Sequence, residues 1–380
     1  MEKEFEKLEI APFLLKGLEK MNITTPTQIQ QEAIPTILKG EHVVGRSKTG
    51  SGKTLAFLLP LLSKVDEANK ELQAMILAPT HELAMQIYRV VEELVTETNI
   101  QIDVFIGSAN IKRQLDKLKK QKPQVVVGTP GRILELAQQK KLKIHQCKMV
   151  VVDEADRMLK ERETRQSFVE ISKRMDKETN YMFFSATISD ELKTDIEALI
   201  RANVTLISSD EKIEAEKVQH EFIKCDDRDR IDTARRLIHS LKVTRGIIFV
   251  NHLDKVVETT KKLQYKGIKA AALSSESDKQ QRAQVIHQLQ NGEIQVVVAS
   301  DLAARGLDVD DVTHIINLHP PVDEDAYVHR AGRTGRMGKF GAVLTLVTPK
   351  ELFIIDKFQK KLGITITEKK LAYGKLYNKA

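Results

Sequence analysis

A chain of 380 residues exceeds one ordinary domain and suits two, each large enough to bury its own core. Hydrophobic content of 41% and charged content of 30% are those of a globular protein, and the longest apolar stretch, residues 55–62, is far too short to cross a bilayer. A net charge of +7 suits a polyanionic partner without requiring one, and 5% aromatic residues with no tryptophan argue against base stacking as the main binding mode and for contacts to a phosphate backbone.

The amino terminus is charged from its second residue and lacks the apolar core of a secretory signal, which predicts a cytoplasmic chain. Cys147 and Cys225 have neither the number of a disulfide framework nor the spacing of a zinc site, so they are expected to be reduced and structural.

Short β-branched apolar runs recur with amphipathic segments of helical period between them, the pattern of parallel strands joined by helical crossovers. In the first half these runs are 42–45, 74–78, 124–127, 149–152 and 181–184; in the second they are 246–250, 269–273, 295–298, 314–317 and 342–347. The expected fold is α/β, with two tandem domains, each a mostly parallel, doubly wound sheet. Residues 1–207 form the first domain. The polar, charge-dense stretch 208–217 reads as a linker rather than a solvated helix inside one large domain, because a fresh series of strands begins after it. Residues 218–361 form the second domain and 362–380 a short basic tail.

Residues 47–54 follow a strand and open an apolar helix, the context that a phosphate-binding loop requires. Ser47, Thr49, Gly50, Ser51 and Gly52 would turn backbone amides onto phosphates, Lys53 would neutralise β- and γ-phosphate oxygens, and Thr54 would ligate Mg2+. Ser47 stands where a first glycine is usual, so a plain glycine-rich helix start is the competing explanation. Against it, Asp153 and Glu154 emerge directly after the run 149–152, at the carboxyl edge where α/β sheets bind ligands. There Asp153 can hold Mg2+ through water and Glu154 can orient and deprotonate an attacking water. An acidic helix cap is the rival reading, better suited to Asp156. Ser185 and Thr187, just past 181–184, say little by themselves.

Upstream, Phe5 is followed by Pro26, Thr27, Gln28, Ile29 and Gln30, and at this point the sequence resembles the DEAD-box RNA helicases. The resemblance runs from about Phe5 to Lys361 and is carried by some ten short motifs in one order. It implies two RecA-like P-loop domains that close over ATP and Mg2+ on single-stranded or short duplex RNA. Gln30 would read the adenine edge and Phe5 pack on its ring. Pro79, Thr80, His81, Gly107, Thr129, Gly131 and Arg132 would contact RNA from the first domain, and Arg282, Ser300 and Asp301 from the second. Gly306 and Asp308 would approach the nucleotide, while Ser185, Thr187, His329 and Arg330 would couple the domains. Arg333 and Arg336 would act as arginine fingers on the γ-phosphate. Such a protein is expected to be a monomer, with no membrane association, open to RNA–protein complexes or protein cofactors as partners.

The chain departs from the family pattern at His81 (usually arginine), Ser108 (usually glycine), Ser274 and Ser275 (usually His-Gly), Lys279 (usually glutamine) and Ala331 (usually a larger aliphatic). Most of these lie on the RNA path or the domain interface, and so bear on RNA affinity and closure. A DNA translocase of the same architecture, a non-catalytic RNA-binding protein with a relic nucleotide fold, and, for the first half alone, a phosphate-loop kinase or GTPase are the rival readings.

Overall fold

A computed structural model describes residues 4–47, 51–107, 109–208, 218–273, 279–301, 303–304, 312–335 and 339–378. The chain forms two compact units, Met1–Asp210 and Glu211–Ala380.

The first unit is a sheet of seven parallel strands: β1 (Val43–Arg46), β2 (Ala74–Leu77), β3 (Ile102–Phe105), β4 (Val125–Gly128), β5 (Met149–Asp153), β6 (Asn180–Ser185) and β7 (Thr205–Ser208). Their order is β3-β4-β2-β5-β6-β1-β7. The connecting helices are α1 (Pro12–Lys20), α2 (Gln28–Leu38), α3 (Lys53–Ser63), α4 (His81–Leu94), α5 (Ile111–Lys120), α6 (Pro130–Gln138), α7 (Ala155–Lys160), α8 (Arg162–Ser172) and α9 (Asp190–Ile200). Alternate residues of one strand feed two cores: Met149 and Val151 pack with α1 to α4, while Val150 and Val152 pack with α6 to α9. That is why the central strands are continuous apolar runs, since both faces are covered.

The second unit has β8 (Val218–Lys224), β9 (Gly246–Phe249), β10 (Ala270–Leu273), β11 (Val296–Ala299), β12 (His314–Asn317), β13 (Gly341–Val347), β14 (Thr367–Ala372) and β15 (Lys375–Asn378), in the order β10-β11-β9-β12-β13-β8-β14-β15. All neighbours pair in parallel except β14 with β15. Its helices are α10 (Arg230–Ser240), α11 (Lys255–Tyr265), α12 (Lys279–Gln290), α13 (Glu324–Ala331) and α14 (Leu352–Leu362).

Two expected boundaries shift. Ser208 closes β7 instead of opening a linker, because β7 pairs along β1 as far as Arg46 opposite Ser208; residues 209–217 lie outside the described residues. Residues 362–380 are not a tail: β14 adds to the edge of β8, and β15 turns back on it to end the sheet. Cys147 is buried and Cys225 half-buried, both as free thiols, and burial pushes the Cys147 thiol up to about 12. Among the described residues no helix is long and apolar enough to cross a membrane.

Candidate functional site

The residues expected at the nucleotide and those expected at RNA leave different parts of the first sheet's carboxyl edge. Strands β5, β6 and β1 are neighbours, and their ends carry the residues expected at the nucleotide. The chain leaves β1 through Ser47, whose amide donates to the Ser185 carbonyl (3.0 Å) at the end of β6. Gly52 then caps α3 in the left-handed region (φ 90°), and a side chain there would collide with the Gln30 amide, 2.4 Å from an added Cβ. Only glycine makes this turn into Lys53 and Thr54 without strain. Gln30 is buried on α2; its Oε1 accepts from the Thr27 amide (3.0 Å) and its Nε2 donates to the Gly52 carbonyl (3.0 Å). The expected adenine reader is thereby tied to the phosphate loop. Phe5, expected against the adenine ring, is only 2% exposed and sits in the core beside α1 and α2. It anchors the amino-terminal turn from inside rather than offering a free face. Thr49 and Gly50 lie outside the described residues, and the Ser47 and Ser51 hydroxyls bond one another.

Asp153 ends β5, opposite Phe184 of β6, and is 5% exposed as a residue. Burial raises its pKa to about 6, which the charge of Lys53 opposes without cancelling. A buried carboxylate incompletely compensated by its lysine fits a divalent cation. Among the described residues no cluster of three His, Cys, Asp or Glu could hold a metal, so such an ion would complete its shell from phosphate and water. Glu154 takes a left-handed backbone (φ 50°), held by its amide donating to Asp153 Oδ1 (2.9 Å). Strain at a non-glycine residue beside a buried acid marks a constrained position. Its carboxylate faces Arg157 (3.2 Å), which also bonds Glu161 (3.0 Å); the sequence reading missed Arg157, although it lies one helical turn after Glu154. Thr187 donates to Asp156 Oδ2 (2.6 Å), so the turn after β6 grips the start of α7.

Strands β2, β4 and β3 are likewise neighbours, and their ends carry the expected RNA contacts. Pro79 and Thr80 follow β2, with the Thr80 hydroxyl capping α4 by accepting from the Leu83 amide (3.2 Å). Gly107 follows β3; Thr129, Gly131 and Arg132 follow β4. His81 is half-buried beside Gly107, and burial, reinforced by Arg132 against the pull of Glu82, lowers its pKa and favours neutral imidazole. Arg132 is a clamp: it donates to the Gly107 carbonyl (3.0 Å), the Ala109 carbonyl (3.1 Å), Gln114 Oε1 (2.7 Å) and Glu135 Oε2 (2.9 Å). It shapes the loop after β3 through the Gly107 and Ala109 carbonyls.

In the second unit Ser300 and Asp301 follow β11. Ser300 is buried, its hydroxyl accepting from the Ala303 amide (3.3 Å), and Arg282 on α12 donates to the Ala303 carbonyl (2.9 Å). Arg330, expected to couple the domains, is 1% exposed. Its guanidinium meets Asp301, Asn317 Oδ1 (3.1 Å), Asn251 Oδ1 (2.9 Å) and the face of Phe249 (4.9 Å). Arg330 is thus a core hub of its own unit, and the Asp301 carboxylate is engaged by that arginine. His329 and Arg333 flank it, on α13 and just past its end. Gly306, Asp308, Arg336, Ser108, Ser274 and Ser275 lie outside the described residues, as does the side chain of Lys279; Ala331 is half-buried against the core.

The model of the DEAD/DEAH box helicases matches residues 27–194 and that of the helicase conserved C-terminal domain residues 229–338. The chain is 42% identical over 366 residues to the DEAD-box ATP-dependent RNA helicase CshC of Bacillus cereus, covering 96% of this chain and 93% of that protein. The chain belongs to the DEAD-box ATP-dependent RNA helicases. It is also 38% identical over 367 residues to the probable ATP-dependent RNA helicase YfmL of Bacillus subtilis, covering 97% and 96%. Among solved structures, S. cerevisiae Dbp5 bound to RNA and ADP BeF3 is similar, with a TM-score of 0.87 at 30% identity over 96% of this chain and 95% of that one. In this DEAD-box helicase the hairpin of β14 and β15 lies beyond the last sequence motif and beyond the residues matched by the C-terminal domain model.

Proposed function

We propose that this DEAD-box protein hydrolyses ATP when RNA draws its two units together, and that closure on one strand locally opens short duplexes and remodels RNA or RNA–protein complexes. The observation that carries this reading is the division of one sheet edge: β5, β6 and β1 present phosphate-binding chemistry, while β2, β4 and β3 present loop backbone suited to an RNA strand.

Lys53 and the amides of residues 47–52 bind the triphosphate, and Gln30 selects adenine by turning its two-sided amide from Gly52 and Thr27 to the base edge. Thr54 and Asp153, the latter partly through water, would hold Mg2+, which when bound neutralises charge on the β- and γ-phosphate oxygens. Glu154 orients the attacking water and takes its proton. Arg333 and Arg336 come from the second unit onto the γ-phosphate, so neither unit hydrolyses well alone. RNA favours the closed state, and by linkage ATP favours RNA binding by the same factor. The protein acts as a monomer in the cytoplasm.

Arg333→Ala tests the split site. RNA-stimulated turnover is expected to fall roughly 10³-fold with ATP affinity retained. Turnover near wild type would refute the proposal.

A further inference from the structure

The hairpin of β14 and β15 has an inner and an outer face. Leu371 and Leu376, paired across it, lie against the core shared with α10 and α11. Lys370 opposite Tyr377, and Ala372 opposite Lys375, therefore project to the other side. Lys370 and Lys375 are exposed, and Tyr377 is 45% exposed. Nearby charges are paired, Lys369 with Glu221 (3.0 Å) and Lys224 with Glu368 (3.2 Å); among the described residues neither Lys370 nor Lys375 has a carboxylate within ion-pair distance.

The tip adds an independent observation. Only Tyr373 and Gly374 join the strands, with φ of 49° and 70°, the signs of a type I′ turn. Its first position favours asparagine or aspartate, and a tyrosine there costs conformational energy. That ring is 96% exposed and contributes no burial in return. Lysines alone could serve only to discourage edge-to-edge association. A strained aromatic held out between them needs another reason.

Position supplies it. Strands β8 to β14 all run parallel, so the tip rises from the same carboxyl edge as Ser300 and Asp301. Five strand spacings separate β11 from β14, about 24 Å at ~4.8 Å each. We infer that the outer face of this hairpin is a second contact for single-stranded RNA, with Lys370 and Lys375 on phosphates and Tyr373 and Tyr377 against bases. The inference rests on the RNA reading above. Strand positive charge with exposed rings matches single-stranded nucleic acid, and the separation means that only a strand longer than the one filling the motif-lined site reaches both.

The test measures binding of labelled single-stranded RNAs, one just filling the motif-lined site and one several-fold longer, by fluorescence anisotropy across a salt series. Tyr373→Asn suits the turn better than the native residue, so its fold is retained or stabilised. It should nevertheless weaken binding of the long strand on the order of tenfold and leave the short strand and the turnover at saturating RNA unchanged. Lys370→Ala with Lys375→Ala should flatten the long strand's log–log salt slope by roughly 1.4, from about 0.7 per phosphate contact in single strands. Unchanged long-strand affinity and slope would overturn the inference and leave the face to a protein partner. Equal weakening of both strands would also overturn it, as an effect of folding. A wild-type protein that neither binds nor responds to any RNA would instead remove the RNA reading itself.

Discussion

Arg330 grips Asp301 with two parallel hydrogen bonds, Nε to Oδ1 at 2.5 Å and Nη2 to Oδ2 at 2.6 Å, beneath a surface that leaves the arginine 1% exposed. The pair joins α13 to the turn after β11, and Asn251 and Asn317 bring the ends of β9 and β12 to the same guanidinium. Arg333 lies three residues on, its amide donating to the Arg330 carbonyl (3.1 Å). The buried arginine thereby fixes the backbone from which Arg333, the proposed finger, departs.

Removing the carboxylate leaves the buried Arg330 charge without its anionic partner. Asp301→Ala is expected to destabilise the second unit by about 3–5 kcal/mol, seen as an earlier urea transition for that unit while the first unit's transition stays in place. Arg330→Lys keeps the charge but cannot form the fork, and is expected to lose most of the same stability. If both variants unfold as the wild type does, the hub is ornamental and Arg330 is free for the interdomain role that the motif suggests.

Glu154 gives a second prediction. Its backbone is fixed by Asp153 rather than by its own carboxylate, so Glu154→Gln should preserve the left-handed turn while ending the ion pair with Arg157 and the capacity to take a proton. The variant is expected to bind ATP and RNA, turn over negligibly, and accumulate as a clamp on RNA. Rapid release of RNA in the presence of ATP, followed by stopped-flow fluorescence, would count against the assignment.

What the sequence discloses follows from how locally each feature is encoded. Strands buried on both faces, such as β5 and β11, announce themselves as valine runs. β3 does not, because Asp103 interrupts it; that carboxylate is buried but answered by Lys117 (2.6 Å) from α5. β8 hides for the same reason, with Glu221 buried against Lys369 of β14, a partner 148 positions away. The hairpin offers only two aliphatic core residues, Leu371 and Leu376, among lysines and tyrosines, too few to distinguish strand from tail. In the site, the start of α3 at Lys53 and the place of Asp153 at the end of β5 are legible because each adjoins an apolar run in the sequence. Arg132 and Arg330 are legible as motif members, but their hydrogen bonds within each unit are not. Their acceptors come from other strands, and only the folded arrangement reveals that these guanidiniums are already engaged.

Asp153 carries the last prediction, in which stability and function oppose each other. Its carboxyl group titrates at about 6 in the folded protein against a usual 3.8, because burial outweighs the attraction of Lys53. The folded state therefore binds its proton more tightly, and the resulting stability is full below the unfolded value and lost as pH rises through the folded one. A shift of this size is worth on the order of 2–3 kcal/mol, all of it forgone at neutral pH. Asp153→Asn keeps an acceptor for the Glu154 amide and removes the charge. Without nucleotide, it is expected to raise the melting temperature of the first unit over wild type at about pH 8, with the gain shrinking towards about pH 4 as the native carboxyl takes up its proton. The same variant should lose Mg2+-dependent ATP hydrolysis, since the destabilising charge is the one that would meet the cation. A melting difference that does not change with pH would show that the carboxylate is compensated in the folded chain, and would remove the physical reason for expecting a cation beside it.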